Sequence, residues 1–258
     1  MPDPLQSRYG TLADEYARLW SPVIKPMGLR LLEMLPLNSA KRVLDIGCGT
    51  GNLISEIGRH APEATYFGLD RAANMLAIAA KHSAALAQAD GCHLPLRNAS
   101  FDVAVMAFVL FKYPTPLAGL KEAKRVLRPG AALGVSIWHG NSHALPADEI
   151  WEDVLADIPG CPDEHDKLED LNEENKLRDI LSASCFSRIE IYCETFERIW
   201  TPESLFVLKS ELSHRARLAR LDASEQNRRL SEVRKHLSDL SPDAFVWRPS
   251  ILFAVCSD

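Results

Sequence analysis

The sequence predicts an α/β protein in which a mostly parallel β-sheet carries helices on both of its faces. The first observation is a regular alternation of strand and helix patterns between residues 40 and 140. The second is that strand patterns such as FDVAVMAFVL (101–110) are almost continuously apolar, which is typical of strands covered on both sides. The third is a glycine-rich turn straight after the first strand, in VLDIGCGTG (43–51). Such repeated units predict right-handed crossovers and therefore a site at the carboxyl ends of the strands.

The elements of this predicted sheet follow from local patterns along the chain. In order, they are a strand at 43–46, a helix with apolar residues from 53, a strand at 65–70, a helix around 74–82, a strand at 85–90, a strand at 101–110, a helix at 117–127 and a strand at 131–138. The helix at 117–127 carries its apolar residues on one stripe. It ends before Arg128-Pro129-Gly130, because proline and glycine do not continue a helix.

Beyond residue 140 the chain is less regular and richer in helix patterns. The patterns predict helices at 148–157 and 167–183, a strand at 188–200, a long helical stretch and a closing strand at 250–257. In the helical stretch Leu230, Val233 and Leu237 recur at helical steps, which indicates an amphipathic helix. We therefore predict a single domain over 1–258, with an N-terminal helical cap at 1–35, a core at 40–140, and helical insertions at 141–187 and 201–247 that cover a substrate. The alternative, that these helices only thicken the fold, stays open.

Composition limits the class of protein. The net charge of −6 and the pI of about 5.8 argue against a nucleic-acid partner, since phosphate backbones are neutralised by Lys and Arg. No run of about eighteen apolar residues or signal-peptide pattern occurs, so we predict a cytoplasmic protein without a membrane partner. The six cysteines include no C-x-x-C pair, and the acidic tract at 163–175 lacks the glycine of a calcium loop, so no metal site is predicted.

Two common glycine-rich motifs fail to match the loop at 47–51. A dinucleotide-binding G-x-G-x-x-G motif would need its third glycine at the place of Asn52, whereas the third glycine here is Gly51. A phosphate-binding P-loop would need Lys-Ser or Lys-Thr after the glycines, and neither follows. The loop is therefore expected to accept a ligand other than a pyrophosphate.

The pattern Asp-x-Gly-x-Gly-x-Gly from Asp45 to Gly51 resembles the class I S-adenosylmethionine-dependent methyltransferases. The similarity is to the small-molecule branch that includes the ubiquinone and menaquinone biosynthesis enzymes. Four segments carry it in the family's order, over roughly 40–140: VLDIGCGTG (43–51), FGLDRAANML (67–76), ADGCHLPLRNASFDVAVMAFVL (89–110) and EAKRVLRPGAALGVSIW (122–138). The resemblance implies a Rossmann-like sheet whose last strand is antiparallel. It also implies S-adenosylmethionine as cofactor, S-adenosylhomocysteine as product, and methyl transfer to a small organic acceptor.

The cofactor residues follow from the loop and from this resemblance. The glycines let the backbone adopt positive φ and approach a ligand without a Cβ atom in the way. Asp45, at the end of the strand, can orient the loop amides or bind the ammonium group of the cofactor, directly or through water. By resemblance, Asp70 binds the ribose hydroxyls, and Asp90 is expected to bind the adenine. The predicted cofactor-binding set is Asp45, Gly47, Cys48, Gly49, Gly51, Asp70, Arg71, Met75, Asp90, Gly91, Cys92 and Phe108.

The sequence defines the residues that bind the methyl acceptor less clearly than those that bind the cofactor. Methyl transfer from a sulfonium requires mainly correct positioning, and a base helps only if the acceptor is a hydroxyl. His139, just past the fifth strand, is the candidate base, and Tyr16, Trp20 and His143 are candidate substrate contacts. The fourth strand ends in MAFVLFKYP without the N/D-P-P-Y/F tetrapeptide of enzymes that methylate nucleic-acid amines, which favours a small molecule. The oligomeric state is not predicted.

Two other classes remain open at this stage. A nicotinamide-dependent oxidoreductase would also begin with a strand, a glycine turn and a helix, and would use Asp70 for ribose, but the third dinucleotide glycine and a Tyr-x-x-x-Lys pair are missing. A noncatalytic protein of the same fold would bind the cofactor or another protein without turnover. Cofactor binding tests the first alternative, and turnover tests the second.

Overall fold

The computed structural model describes residues 11–82, 85–142, 144–145, 147–159 and 167–258. Its helices, in chain order, are α1 (Ala13–Glu15), α2 (Ser21–Glu33), α3 (Ile54–His60), α4 (Ala73–Ala79), α5 (Pro116–Val126), α6 (Asp148–Val154), α7 (Glu174–Ala183), α8 (Pro202–Leu208), α9 (Arg215–Leu218) and α10 (Ala223–Ser238). Its strands are β1 (Arg42–Ile46), β2 (Thr65–Asp70), β3 (Leu86–Gln88), β4 (Phe101–Ala107), β5 (Leu127–Trp138), β6 (Arg188–Thr195), β7 (Arg198–Ile199), β8 (Val246–Trp247) and β9 (Ser250–Ser257).

Seven of these strands form one sheet in the order β3-β2-β1-β4-β5-β9-β6. The pairs from β3 to β5 are parallel, and β9 runs antiparallel to β5, with Leu133 opposite Cys256 and Trp138 opposite Ile251. The predicted Rossmann-like sheet with an antiparallel last strand is therefore confirmed. The order reverses between β1 and β4, so the carboxyl ends of these strands flank a crevice of the kind that binds ligands in α/β proteins.

The central strands are buried as their continuous apolar patterns predict. In β1 and β4 most side chains are almost completely buried, including Leu44, Ala104 and Val105. Helix α5 buries Leu120, Ala123 and other members of its apolar stripe. Burial of one large aliphatic side chain stabilises a fold by roughly 1.5 to 3 kcal/mol, so this core holds the strand ends that build the site.

The strands predicted at 85–90 and 101–110 are shorter in the structure and end at Gln88 and Ala107. Two other strand predictions differ more strongly. Strand β5 begins at Leu127, because an irregularity in its register with β4 accommodates the Arg128-Pro129-Gly130 stretch. The predicted strand at 188–200 is divided into β6 and β7. The division occurs because the Phe196 amide donates to the Pro249 carbonyl and β7 pairs with β8 in a separate two-stranded sheet.

The N-terminal segment continues as helix into the covering layer of the sheet. After α1, a π-helical turn at Tyr16–Trp20 leads directly into α2. Leu31 of α2 is fully buried, and a Cβ atom at Gly134 of β5 would lie 3.1 Å from it and 2.7 Å from Leu35. The glycine therefore lets α2 approach β5 closely. Whether the segment also acts as a cap stays a prediction.

The chain divides into two compact units. The first comprises residues 1–140, 165–194 and 251–258, and the second comprises 141–164 and 195–250. These bounds differ from the predicted insertion at 141–187, because α7 packs against α5 and β6 joins the large sheet. The predicted role of the insertions as a substrate cover is a separate matter and stays a prediction.

The second unit has its own core around Trp151. Helix α10 packs against α6 and α8, and Val233 and Leu237 are buried as their spacing predicts. The ring of Trp151 is fully buried and stacks on His214, with centroids 5.1 Å apart. Burial lowers the pKa of His214 to about 4, so this histidine is neutral at pH 7.

In the described part of the chain, every helix is too short or too polar to span a bilayer. The same residues contain no group of three or more His, Cys, Asp or Glu side chains arranged to hold a metal ion.

Candidate cofactor site

The glycine loop between β1 and α3 uses its three glycines differently. Gly47, Gly49 and Gly51 have φ angles of +77°, +54° and +80°, a region that L-residues rarely adopt. A Cβ atom at Gly47 would lie 2.3 Å from Val109, and one at Gly51 would lie 2.6 Å from Ile54. A Cβ atom at Gly49 would meet no atom within 4 Å. Gly47 and Gly51 are therefore required by packing, whereas Gly49 leaves open space that a ligand can fill.

Asp70 joins this loop to the end of β2. One carboxylate oxygen accepts a hydrogen bond from the Gly49 amide at 2.9 Å, and the other accepts one from the Ala72 amide at 2.8 Å. Burial raises the pKa of Asp70, and the two amide hydrogen bonds oppose that rise. A carboxylate oxygen can accept more than one hydrogen bond, so both oxygens retain the capacity to bind ribose hydroxyl groups.

Asp45 lies beneath the same loop and is only 2% exposed. Its carboxylate accepts a hydrogen bond from the Tyr66 hydroxyl at 3.2 Å. Burial raises the pKa of Asp45 to about 7, the Tyr66 hydrogen bond opposes the rise, and the charge of Asp70 adds to it. A cationic group in the adjacent cavity would favour the ionised carboxylate.

Asp90 follows β3 by two residues rather than ending it. Its carboxylate accepts a hydrogen bond from the Cys92 amide at 3.0 Å and lies 3.3 Å from a ring nitrogen of His93. Burial tends to raise the pKa of Asp90, but the contacts with Cys92 and His93 outweigh it and leave the pKa below its ordinary value. Asp90 is therefore a carboxylate at neutral pH, able to accept from an amino group.

Two adjoining cavities lie at the carboxyl ends of the strands. The larger holds about 750 Å³ of space, including its open mouth, and the smaller about 430 Å³. The predicted residues that line the larger cavity are Gly47, Gly49, Asp70, Arg71, Met75, Gly91 and Phe108. Those that line the smaller are Asp45, Gly47, Cys48, Gly49 and Phe108.

The remaining predicted cofactor residues lie beside these cavities. Gly51 lines a further hollow next to the loop. Cys92 is buried, and burial raises the pKa of its thiol to about 11, so it stays protonated at neutral pH. Its contribution to the site is the backbone amide, which already binds Asp90.

The residues predicted to contact the methyl acceptor differ in whether they line the cavities. Tyr16 lines both cavities, whereas the ring of Trp20 packs against Trp138 with centroids 6.2 Å apart. His139 is not among the residues that line either cavity, and its Nδ1 lies 3.3 Å from Sγ of Cys193. His143 lies outside the described residues. The roles of these four residues stay predictions.

Sequence reasoning missed residues that follow β4. Val109, Lys112 and Tyr113 line the larger cavity, and the Tyr113 hydroxyl occupies the space next to Gly91, where a Cβ atom would lie 2.2 Å from it. Their position just past the end of a predicted central strand is a signal that could have identified them. Phe108 has a φ angle of +55°, a conformation that no sequence pattern predicted. Strained backbone of this kind often occurs at functional sites.

The fold and the site together define a class I methyltransferase domain. The family model described as "Methyltransferase domain" matches residues 44–135. The chain is 34% identical over 122 residues to a malonyl-[acyl-carrier protein] O-methyltransferase of Marinomonas sp. (strain MWYL1), covering 45% of this chain and 44% of that protein. It is 32% identical over 123 residues to a demethylmenaquinone methyltransferase of Staphylococcus aureus (strain JH9), covering 45% of this chain and 48% of that protein. The matched region thus spans about half the length of these curated relatives.

A structural comparison extends the similarity in fold along the chain. A solved S-adenosylmethionine-dependent methyltransferase from Thermotoga maritima, described as a possible histamine N-methyltransferase, superposes with a TM-score of 0.58. The superposition covers 98% of this chain and 99% of that one at 17% identity. Residues 44–135 therefore carry a methyltransferase domain, and the fold of the chain is similar to that of class I S-adenosylmethionine-dependent methyltransferases. The cofactor of this class is S-adenosylmethionine.

The residues of the site fit this cofactor. Gly49 leaves open space at the loop, and Asp70 lines the larger cavity at the end of β2. Asp90 lies two residues past β3, between Ala89 and Gly91, which line the larger cavity, but is not itself among the lining residues of either cavity. The buried Asp45 provides an acceptor for a cationic amino group in the smaller cavity.

Proposed function

We propose that this protein transfers the methyl group of S-adenosylmethionine to a small organic acceptor by in-line displacement. The observation that carries the proposal is the arrangement of Gly49, Asp45 and Asp70 around two adjoining cavities at the end of a class I methyltransferase sheet. The cofactor supplies an activated methyl group on a sulfonium sulfur. The tasks of the chain are to bind the cofactor, to orient the acceptor and to limit water.

The residues divide these tasks by chemistry. We assign the amino-acid part of the cofactor to the smaller cavity beside Asp45, since a buried carboxylate is the matched partner for an ammonium group. We assign the ribose to Asp70 and the adenine to Asp90 with the amide of Gly91, since the Cys92 amide already donates to Asp90. Phe108 lines both cavities and contacts Trp138 with centroids 4.7 Å apart, so it is our candidate for the wall beside the reacting methyl group.

Several observations favour a small acceptor over a nucleic acid. The net charge of −6 provides no broad cationic surface for a phosphate backbone. The segment after β4, FVLFKYP, has no N/D-P-P-Y/F motif, and the names of the two curated relatives refer to a malonyl group on a carrier protein and to demethylmenaquinone. His139 remains our proposed base for a hydroxyl acceptor. A test is whether His139→Gln removes an alkaline rise in the turnover of such an acceptor.

The first experiment is thermal unfolding of the protein alone and with S-adenosylmethionine, S-adenosylhomocysteine or NAD. A ligand present at 100 times its dissociation constant adds about 2.7 kcal/mol to the stability of the folded state, so the midpoint should rise by several degrees with the two sulfur ligands. A rise with NAD alone would support the oxidoreductase alternative and refute the proposal. Release of S-adenosylhomocysteine with a panel of hydroxyl, amine and thiol acceptors then separates an enzyme from a noncatalytic binder.

A further inference from the structure

The hydroxyl group of Tyr66 reaches the carboxylate of Asp45, on the neighbouring strand, across the position of Gly68, which has no side chain. In the parallel register of β1 and β2, Val43 lies opposite Tyr66 and Asp45 lies opposite Gly68. Since side chains two residues apart share one face of a strand, the Tyr66 ring extends over Gly68 toward Asp45. A Cβ atom at Gly68 would lie 2.7 Å from the Tyr66 hydroxyl oxygen. Gly68 therefore leaves the space that the Tyr66 hydroxyl occupies.

The resulting contact is buried. The Tyr66 hydroxyl donates to Oδ2 of Asp45 at 3.2 Å, and the Asp45 residue is only 2% exposed. Burial raises the pKa of Tyr66 far above its ordinary range, and the charge of Asp45 raises it further, so the Tyr66 hydroxyl stays protonated at neutral pH and remains a donor. A donor that cannot ionise holds a carboxylate in one orientation and favours its charged form.

We propose that Tyr66 is a positioning residue of the cofactor site, whose hydroxyl group keeps the Asp45 carboxylate ionised and directed toward the cationic amino group of the cofactor. This inference rests on the proposed function, because it uses the assignment of that amino group to Asp45. It adds a residue outside the glycine motif, on the neighbouring strand. It also assigns a reason for Gly68, which neither lies in a turn nor has a positive φ.

The groups around Asp45 indicate that the Tyr66 hydroxyl affects the pKa of the Asp45 carboxyl group. The titratable groups that interact with Asp45 are Tyr66 and Asp70 of β2 and Cys48 of the loop. Strand β4 faces it with Val105 at the paired position, and α2 contributes Ser21, Ile24 and Gly28 to the same cavity. Burial and Asp70 raise the pKa of Asp45, which is about 7 with Tyr66 in place. Removal of the Tyr66 hydroxyl should raise this pKa by about one further unit, since a hydrogen bond to a charged group is lost.

The test is the dissociation constant of S-adenosylhomocysteine measured by calorimetry at pH 6, 7, 8 and 9, for the wild type and for Tyr66→Phe. Each value is expressed as the ratio of variant to wild type at one pH, so that titration of the ligand itself cancels. With a rise of one pKa unit, the ratio should be about 10 at pH 6 and about 5 at pH 7, and should approach 1 at pH 9. A ratio that is the same at every pH would mean a merely structural role and would overturn the proposal.

Two further variants sharpen the test. Tyr192→Phe is the matched control, because Tyr192 also donates to a carboxylate, that of Glu190 at 2.8 Å, but lies on β6 at the opposite edge of the sheet from the β2 side. Its ratio should be 1 at every pH. In an Asp45→Asn background, Tyr66→Phe should cause no pH-dependent change, and a persisting change would overturn the proposal.

A second route covers the case in which Tyr66→Phe does not fold. Gly68→Ala keeps Tyr66 but places a Cβ atom 2.7 Å from its hydroxyl oxygen, 2.6 Å from Leu86 and 3.0 Å from Cys48. Displacement of the hydroxyl should give the same pH-dependent ratio. Failure of the wild type to bind S-adenosylhomocysteine at any pH would refute the proposed function and this inference together. A second outcome would refute this inference alone. The wild type would bind S-adenosylhomocysteine, but the ratio of dissociation constants would be independent of pH in Tyr66→Phe, or in Gly68→Ala if only that variant folds.

Discussion

Replacement of Asp70 by alanine should weaken cofactor binding and stability by separate and measurable amounts. The carboxylate accepts the amides of Gly49 and Ala72 at 2.9 and 2.8 Å, and we assign the ribose hydroxyls to its remaining acceptor capacity. Loss of a pair of charge-assisted hydrogen bonds to ribose should cost about 2 to 4 kcal/mol of binding free energy, which corresponds to roughly a 30-fold to 1,000-fold rise in dissociation constant.

The stability cost has a different origin. Without the carboxylate, two backbone amides lose their partner, and that of the buried Ala72 is shielded from water. An unsatisfied buried donor costs about 1 to 3 kcal/mol, partly offset because a buried charge is also removed. The free energy of unfolding should therefore fall by about 1 to 2 kcal/mol, so the fold persists but is measurably less stable.

The assay pairs calorimetric binding of S-adenosylhomocysteine with urea unfolding. Asp102→Ala is the matched control, because Asp102 also accepts two backbone amides, those of Lys41 and Arg42 at 2.8 Å each, at the opposite end of β1. This control should lose stability without losing cofactor affinity. If Asp70→Ala lost stability to a similar degree and bound the cofactor as tightly as the wild type, the ribose assignment would be wrong.

Two further predictions concern the loop and the second unit. Gly47→Ala should cost about 2 to 4 kcal/mol in urea unfolding, because its Cβ atom would overlap Val109, whereas Gly49→Ala should cost only the 1 to 2 kcal/mol typical, very roughly, of the left-handed conformation; equal costs would contradict the packing argument. The pKa of His214 is about 4 in the folded protein, below its ordinary value of 6.5. As the pH falls between these two values, the unfolded chain binds a proton that the folded protein does not, so the free energy of unfolding falls. The loss between pH 7 and pH 4 should approach about 3 kcal/mol from this residue. The pH dependence of unfolding should be flatter in His214→Gln, and an unchanged dependence would show that His214 does not have a lowered pKa in the folded protein.

Local patterns in the sequence were sufficient for the core elements of the fold. Strand β2 spans Thr65–Asp70 as predicted, and β4 begins at Phe101 and α5 ends at Val126 close to their predicted bounds. Apolar continuity, helical periodicity and Pro-Gly punctuation act over a few residues, so they can be read without knowledge of the fold. The glycine loop and the aspartates after β2 and β3 were accessible for the same reason, since parallel strands bring their carboxyl ends to one edge.

The pairing of side chains across strands was decided only by tertiary structure. Tyr66 and Asp45 are 21 positions apart, and their hydrogen bond depends on the register of β1 with β2 and on the missing side chain of Gly68. The division of the strand predicted at 188–200 depends on β8, nearly fifty residues later in the chain. Such contacts depend on register, close packing and burial, which no single stretch of sequence encodes. The sequence by itself thus predicted the class of protein and a set of candidate cofactor residues, whereas the tertiary structure decided how each carboxylate is oriented and how readily it holds its charge.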